Sequence, residues 1–144
     1  MNELESFVRL FTDEKIKHHK KGKKFFLIND ELLEIEKKLP ETISTGIILG
    51  EMKENFRPSI YLLEILSSKT KNKMFVNDKA EWLFLCGRDI LPPGIVNDCS
   101  TEKLFLIQNE RDENLGLGKK VRQKKTHFVK NIIDRGNFLR RERH

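Results

Sequence analysis

Apolar residues at Leu4, Phe7, Val8 and Phe11 recur three and four positions apart, the spacing of a helix that buries one face. Continued through Lys15, this pattern predicts a helix over "MNELESFVRLFTDEKIKHHKKGKK", ending at Gly22 in a basic run. The run "HHKKGKK" reads as a solvated turn, with phosphate contact as the alternative. "KFFLIND" follows as a short strand closed by Asn29 and Asp30. "ELLEIEKKLP" offers Leu32, Leu33, Ile35 and Leu39 to a core before Pro40 stops it, as helix or strand. "STGIILGEM" has the pattern of a buried strand. "FRPSIYLLEIL" fits a short helix or strand with Ile60, Leu63 and Ile65 turned inward. "SSKTKNK", residues 67–73, has no apolar anchor, and the expected domain boundary falls there, giving domains 1–70 and 71–144.

The second half has a different texture. "KMFV" predicts a strand, and "NDKAEWLFLCG" a short helix capped by Asn77 or Asp78 and ending near Gly87. In "RDILPPGIV" the residues Pro92, Pro93 and Gly94 force a bend. "KLFLIQN", the turn "ERDEN" and "LGLGKKVRQ" form a hairpin, and "THFVKNIID" supplies one more strand. Short strands at this spacing predict a small β-barrel. Trp82, Phe84, Phe105 and Phe138 lie in apolar runs and read as core. The "GLG" of residues 116–118 lacks the third glycine of a dinucleotide fingerprint and the spacing and hydroxyl of a P-loop. Glycines inside a strand instead point to a bulge, a barrel corner or a close backbone approach.

Composition narrows the class. Of 144 residues, 38% are hydrophobic and 35% charged, which suits a soluble globular chain. The acidic start and the lack of a long apolar run predict a cytoplasmic protein with no membrane association. Cys86 and Cys99 give neither a disulfide framework nor a zinc-ligand set and read as ordinary reduced, buried thiols. The charge is unevenly divided. Residues 1–70 hold 12 basic and 12 acidic residues, residues 71–144 hold 16 and 10, and residues 119–144 alone hold ten and two. That asymmetry fits a polyanion partner, although a solvated charged surface, an acidic protein or a membrane would also account for it. Catalysis is not expected. His18, His19, His127 and His144 adjoin no plausible Ser or Cys nucleophile, and Asp89 and Asp134 suit loop and capping positions. No metal and no cofactor are predicted.

The order "FVNDKAEWLFLCGRDILPPGI", "LFLIQNERDENLGLGKKV", "VKNIIDRGNFLRRE" resembles a PUA domain, the RNA-binding fold named for pseudouridine synthases and archaeosine transglycosylases. "STGIILGEMKENFRPSIYLLEIL" resembles the segment that precedes the PUA domain in the Nip-seven ribosome-biogenesis family and in the C-terminal module of rRNA cytosine methyltransferases. The resemblance implies an α+β chain with an N-terminal α/β pre-PUA domain and a PUA pseudobarrel. It implies a non-catalytic protein that binds rRNA or pre-rRNA, with ribosome-assembly factors or an RNA methyltransferase as further partners. The alternatives are an RNA-binding subunit acting in trans for such a methyltransferase, or an interaction module docking on an acidic protein. By position, the resemblance assigns RNA contact to Lys79, Gly87, Arg88, Arg140, Arg141 and Arg143. Charge alone adds Lys119, Lys120, Arg122, Lys124 and Lys125, and the hypothesis requires Arg88, Lys120 and Arg140 to share a face.

Overall fold

Asn2 caps the first helix, α1 (Glu3–Val8), by accepting the Glu5 N–H on its side chain. The helix expected over residues 1–24 stops there. Its apolar spacing runs out at Phe11, and without a face to bury the following polar residues gain nothing by continuing it. They form a hairpin instead, β1 (His18–Lys21) and β2 (Lys24–Leu27), so that "HHKKGKK" is a strand, a tight turn and the start of a second strand. The computed structural model describes residues 1–28 and 46–137. The expectations for "ELLEIEKKLP", Phe138, Arg140, Arg141 and Arg143 fall outside those residues.

The chain divides into two units, Met1–Leu62 and Leu63–His144. In the first, β3 (Ile48–Met52) and β4 (Phe56–Pro58) complete an antiparallel sheet of order β1-β2-β3-β4. Phe7 of α1 meets Phe56 with ring centres 5.4 Å apart, and Phe56 meets Phe25 edge-on at 5.6 Å, which fixes the helix on the sheet. "FRPSIYLLEIL" resolves into both of its readings, strand β4 and then helix α2 (Ile60–Ser67). Leu62, Leu63 and Leu66 are the buried apolar positions of α2, while Ile60 and Ile65 are half-buried.

The second unit is built on a five-stranded sheet of order β6-β5-β7-β8-β9, formed by β5 (Lys73–Val76), β6 (Ile95–Asp98), β7 (Leu104–Gln108), β8 (Asn114–Gln123) and β9 (Thr126–Asp134). Helix α3 (Asp78–Leu85) is capped by Asn77, as the sequence predicts. Ile90 bridges Val129 on the free edge of β9, and five residues later the chain enters β6 on the opposite edge of the sheet. That connection partly closes the sheet into a barrel around Met74, Val76, Ala80, Phe84, Ile90, Phe105, Ile107, Leu115 and Val129.

Burial departs from expectation at three places. Ser67, Thr70, Asn72 and Lys73, in the stretch that lacks apolar anchors, are buried. Hydrogen bonding makes this tolerable: Asn72 donates to the Leu104 carbonyl and accepts from Thr101 N–H, and Lys73 Nζ reaches Asp112 at 3.0 Å. Trp82 is 66% exposed, because Ala80 and Phe84 turn α3 toward the core and a residue midway between them points away. Phe84 and Phe105 are fully buried, as read from the sequence. Cys86 and Cys99 are exposed, not buried.

Candidate nucleic-acid interface

The two glycines of "GLG" set the shape of the candidate surface. A Cβ on Gly116, whose φ is +150°, would lie 2.0 Å from the Ile133 carbonyl oxygen, so β9 can approach β8 only at glycine. A Cβ on Gly118 would meet Val129 and Ile107 side chains at 2.7 and 2.8 Å. Register shifts flank this region, at Ile107/Gln108 and at Leu117/Gly118. The bulge and close-approach reading of "GLG" therefore accounts for both glycines. From Lys119 onward the strand changes character, from buried to almost wholly exposed.

Residues 119–130 form the outer part of the β8–β9 hairpin, a ribbon with six basic residues and no acid. Its register pairs Lys119 with Lys130, Lys120 with Val129, Arg122 with His127 and Gln123 with Thr126. Directly opposed residues of an antiparallel pair share a face, and successive residues alternate. Lys119 and Lys130 thus lie side by side on one face of the ribbon, and Lys120, Arg122 and His127 belong to the other. Lys124 and Lys125 form the two-residue loop at the tip, with Lys124 left-handed at φ +57°. A lysine in this backbone region is uncommon and strained, and here it places a cation at the farthest point of the hairpin.

Lys120 differs from its neighbours. Its Nζ lies 3.0 Å from Asp98 and 5.8 Å from the centre of the Phe105 ring. Burial acts to raise the Asp98 carboxyl, but hydrogen bonds from the Ser100 side chain and backbone and from Lys120, together with the Lys120 charge, outweigh it and hold the carboxyl below its ordinary value. Among the described residues, Lys120 is the one ribbon cation in an ion pair. Beside it lies a concavity of about 260 Å³ lined by Met74, Pro92, Asp98, Lys120, His127 and Val129.

Arg88 comes to the same edge by a different route. Helix α3 ends with Cys86 as its C-cap; Gly87 N–H donates to the Phe84 carbonyl at 2.9 Å and Arg88 N–H to that of Leu83 at 3.0 Å. This is a Schellman closure, which needs a left-handed residue after the cap, and Gly87 supplies it at φ +91°. Gly87 is thereby explained by the helix end. Asn131 of β9 then ties that end down: its side-chain amide donates to the carbonyls of Phe84 and Arg88 and to Asp134, and its backbone N–H donates to Asp89. Asp134 also accepts the Asn137 N–H, so Asp89 and Asp134 both serve as caps of backbone groups. Arg88 is exposed, and among the described residues its guanidinium is in no ion pair.

The structure sets Lys119 and Lys130 side by side and brings the Arg88 backbone next to Asn131, the residue that follows Lys130. Lys120 and Arg122 share the ribbon but face the other way, and Lys124 and Lys125 occupy its tip. Lys79 is exposed at the start of α3, at the far end of the helix from Arg88. Lys130 and Lys103 belong to the surface although neither was among the predicted site residues; Lys103 accepts the Lys120 N–H on its carbonyl. Lys130 was within reach of the sequence, since counting back from a two-residue loop at Lys124–Lys125 sets it opposite Lys119. Trp82 lines a second, larger cavity of about 670 Å³ with Cys86, Arg111, Asn114 and Arg135.

A half-closed five-stranded barrel with a short helix after its first strand, a glycine-closed helix end and a long terminal hairpin defines the PUA class of fold. The chain belongs to the UPF0113 PUA domain family, whose model matches residues 72–143. It is 29% identical over 108 residues to the UPF0113 protein of Archaeoglobus fulgidus, a match covering 68% of this chain and 62% of that one. The chain thus spans a little under two thirds of the length of the curated relative it matches. Its fold is similar to that of a conserved PUA domain protein from Thermoplasma acidophilum, with a TM-score of 0.53 at 17% identity, over 92% of this chain and 88% of the other. PUA domains generally bind RNA, so membership suggests RNA-binding potential. Among the described residues no helix is long and apolar enough to cross a membrane.

Proposed function

We propose that this protein binds structured RNA, without catalysing a reaction on it, through the β8–β9 ribbon and the adjoining Arg88. The observation that carries this reading is the ribbon itself: six exposed cations in twelve residues, no acid, and, among the described residues, a single ion pair. Bringing Lys119 and Lys130 opposite one another is unfavourable for an isolated chain, and a phosphate between them reverses the sign of that interaction. Affinity comes largely from counterions released as the cations neutralise phosphates. Arg88 adds a planar donor suited to two phosphate oxygens at once. The resemblance to the Nip-seven family favours rRNA or pre-rRNA as the ligand and ribosome assembly in the cytoplasm as the setting.

Titrating the protein with structured rRNA fragments across a salt series tests this. Lys119→Ala, Arg122→Ala and Lys130→Ala together are expected to weaken binding and to lower the slope of log affinity against log salt by about 2 to 3. Unchanged affinity and slope would contradict the assignment. Capture of an acidic protein in place of RNA would favour the interaction-module reading, and a stable complex with an RNA methyltransferase would favour a subunit acting in trans.

A further inference from the structure

We propose that the β1–β2 hairpin of the first unit is a second phosphate-binding surface, engaging the sugar-phosphate backbone of structured RNA; this rests on the RNA-binding reading above. The balanced charge of residues 1–70 conceals a local excess. Residues 15–28 hold Lys15, Lys17, Lys20, Lys21, Lys23 and Lys24, with His18 and His19, and no acid. Four of these lysines lie within the hairpin itself, and Lys15 and Lys17 lead into it. Lys20, Lys21, Lys23 and Lys24 are all exposed around its tight turn.

The register repeats the unfavourable arrangement of the ribbon. Lys21 pairs directly with Lys24, so two ammonium groups share one face, together with His19 and Phe26. The His19 ring lies over Phe26 at 5.3 Å and 18°, which orders the side chains flanking the two lysines. The acid nearest in register, Glu51 of β3 opposite Lys24, is engaged by Lys53 at 3.7 Å. Lys20 lies on the other face with its Nζ 5.3 Å from the Phe25 ring centre.

Protection of a sheet edge accounts for part of this pattern, because β1 is an edge strand and lysines there discourage pairing with another chain. It does not account for Lys24, which sits on the inner strand β2, or for Lys23 in the loop. Nor does it call for a second lysine opposite the first. A polyanion does, since phosphodiester groups offer closely spaced negative charge to both. The chemistry is that of backbone recognition: ammonium groups are point charges that meet phosphate without reading bases.

The full chain, changed at Lys21→Gln, Lys23→Gln and Lys24→Gln, should bind the same rRNA fragment less tightly at low salt. Its log–log salt slope should be about 2 below that of wild type. Charge reversal to Glu at the same positions should weaken binding further, and circular dichroism checks that the fold is kept. Where the Glu variant loses its fold, the Gln variant decides. If the hairpin variants keep wild-type affinity and slope while the ribbon variant loses both, the hairpin is not a site and the ribbon reading stands. If wild type itself does not bind RNA, both fail together. Binding of an acidic protein at the hairpin, with RNA affinity unchanged, overturns the proposal as well.

Discussion

Asp112 shows how much one side chain can carry. Its carboxylate meets the buried Lys73 ammonium at 3.0 and 3.2 Å and accepts from Gln108, whose amide also reaches Ser67. Burial tends to raise the Asp112 carboxyl, but the Gln108 hydrogen bond and the Lys73 hydrogen bond and charge win and hold it below its ordinary value. A carboxyl lowered in the folded state stabilises the fold fully above its unfolded value of about 3.9, and loses that contribution as pH falls through the folded value. Asp112→Asn should therefore destabilise the protein by about 1 kcal/mol at neutral pH, a figure kept small because the carboxylate is half exposed. The gap between variant and wild type should close on acidification toward pH 2. Denaturant midpoints for both proteins across that range check it, and a gap that widens with acid would show the sign to be wrong. None of this was visible in "SSKTKNK", which as a string of polar residues gives no sign that it is buried. Partners 39 residues away decide its position.

Among the elements, strands with alternating or continuous apolar residues were legible, and β5, β7, β8 and β9 lie where their patterns put them. β2 was legible in "KFFLIND", but β1 was not, since "HHKK" has little apolar content and is held as a strand mainly by its pairing with β2. Propensity is overridden there by tertiary register. The faces of the basic ribbon were hidden for a related reason: charge counts add residues that the pleat then separates. Gly87 was legible as special, and in the structure its left-handed backbone closes the end of α3. Asn131 is the residue that joins these elements, because one amide serves the end of α3, the Arg88 carbonyl and Asp134. Asn131→Ala should cost about 2 kcal/mol by leaving these groups without their donor. It should also raise amide hydrogen exchange across residues 84–90 relative to the rest of the unit. Wild-type thermal stability and uniform protection in the variant would show that the helix end is held by something else.

For the whole molecule, composition and charge were enough to point toward a polyanion, and the order of motifs in the second half was enough to point toward a PUA fold. The charge distribution by halves was less informative than it looked. Averaging residues 1–70 to neutrality hid the segment 15–28, which holds six lysines and no acid. Both hairpins set lysine opposite lysine, a repulsion that an anionic strand would relieve. Where RNA would meet the protein can be read by following backbone amide resonances as a structured rRNA fragment is added. Shifts should concentrate at residues 119–130 and around Arg88, with a second set at residues 18–24, and fade as salt is raised. Shifts confined to other parts of the second unit, or unaffected by salt, would contradict this placement.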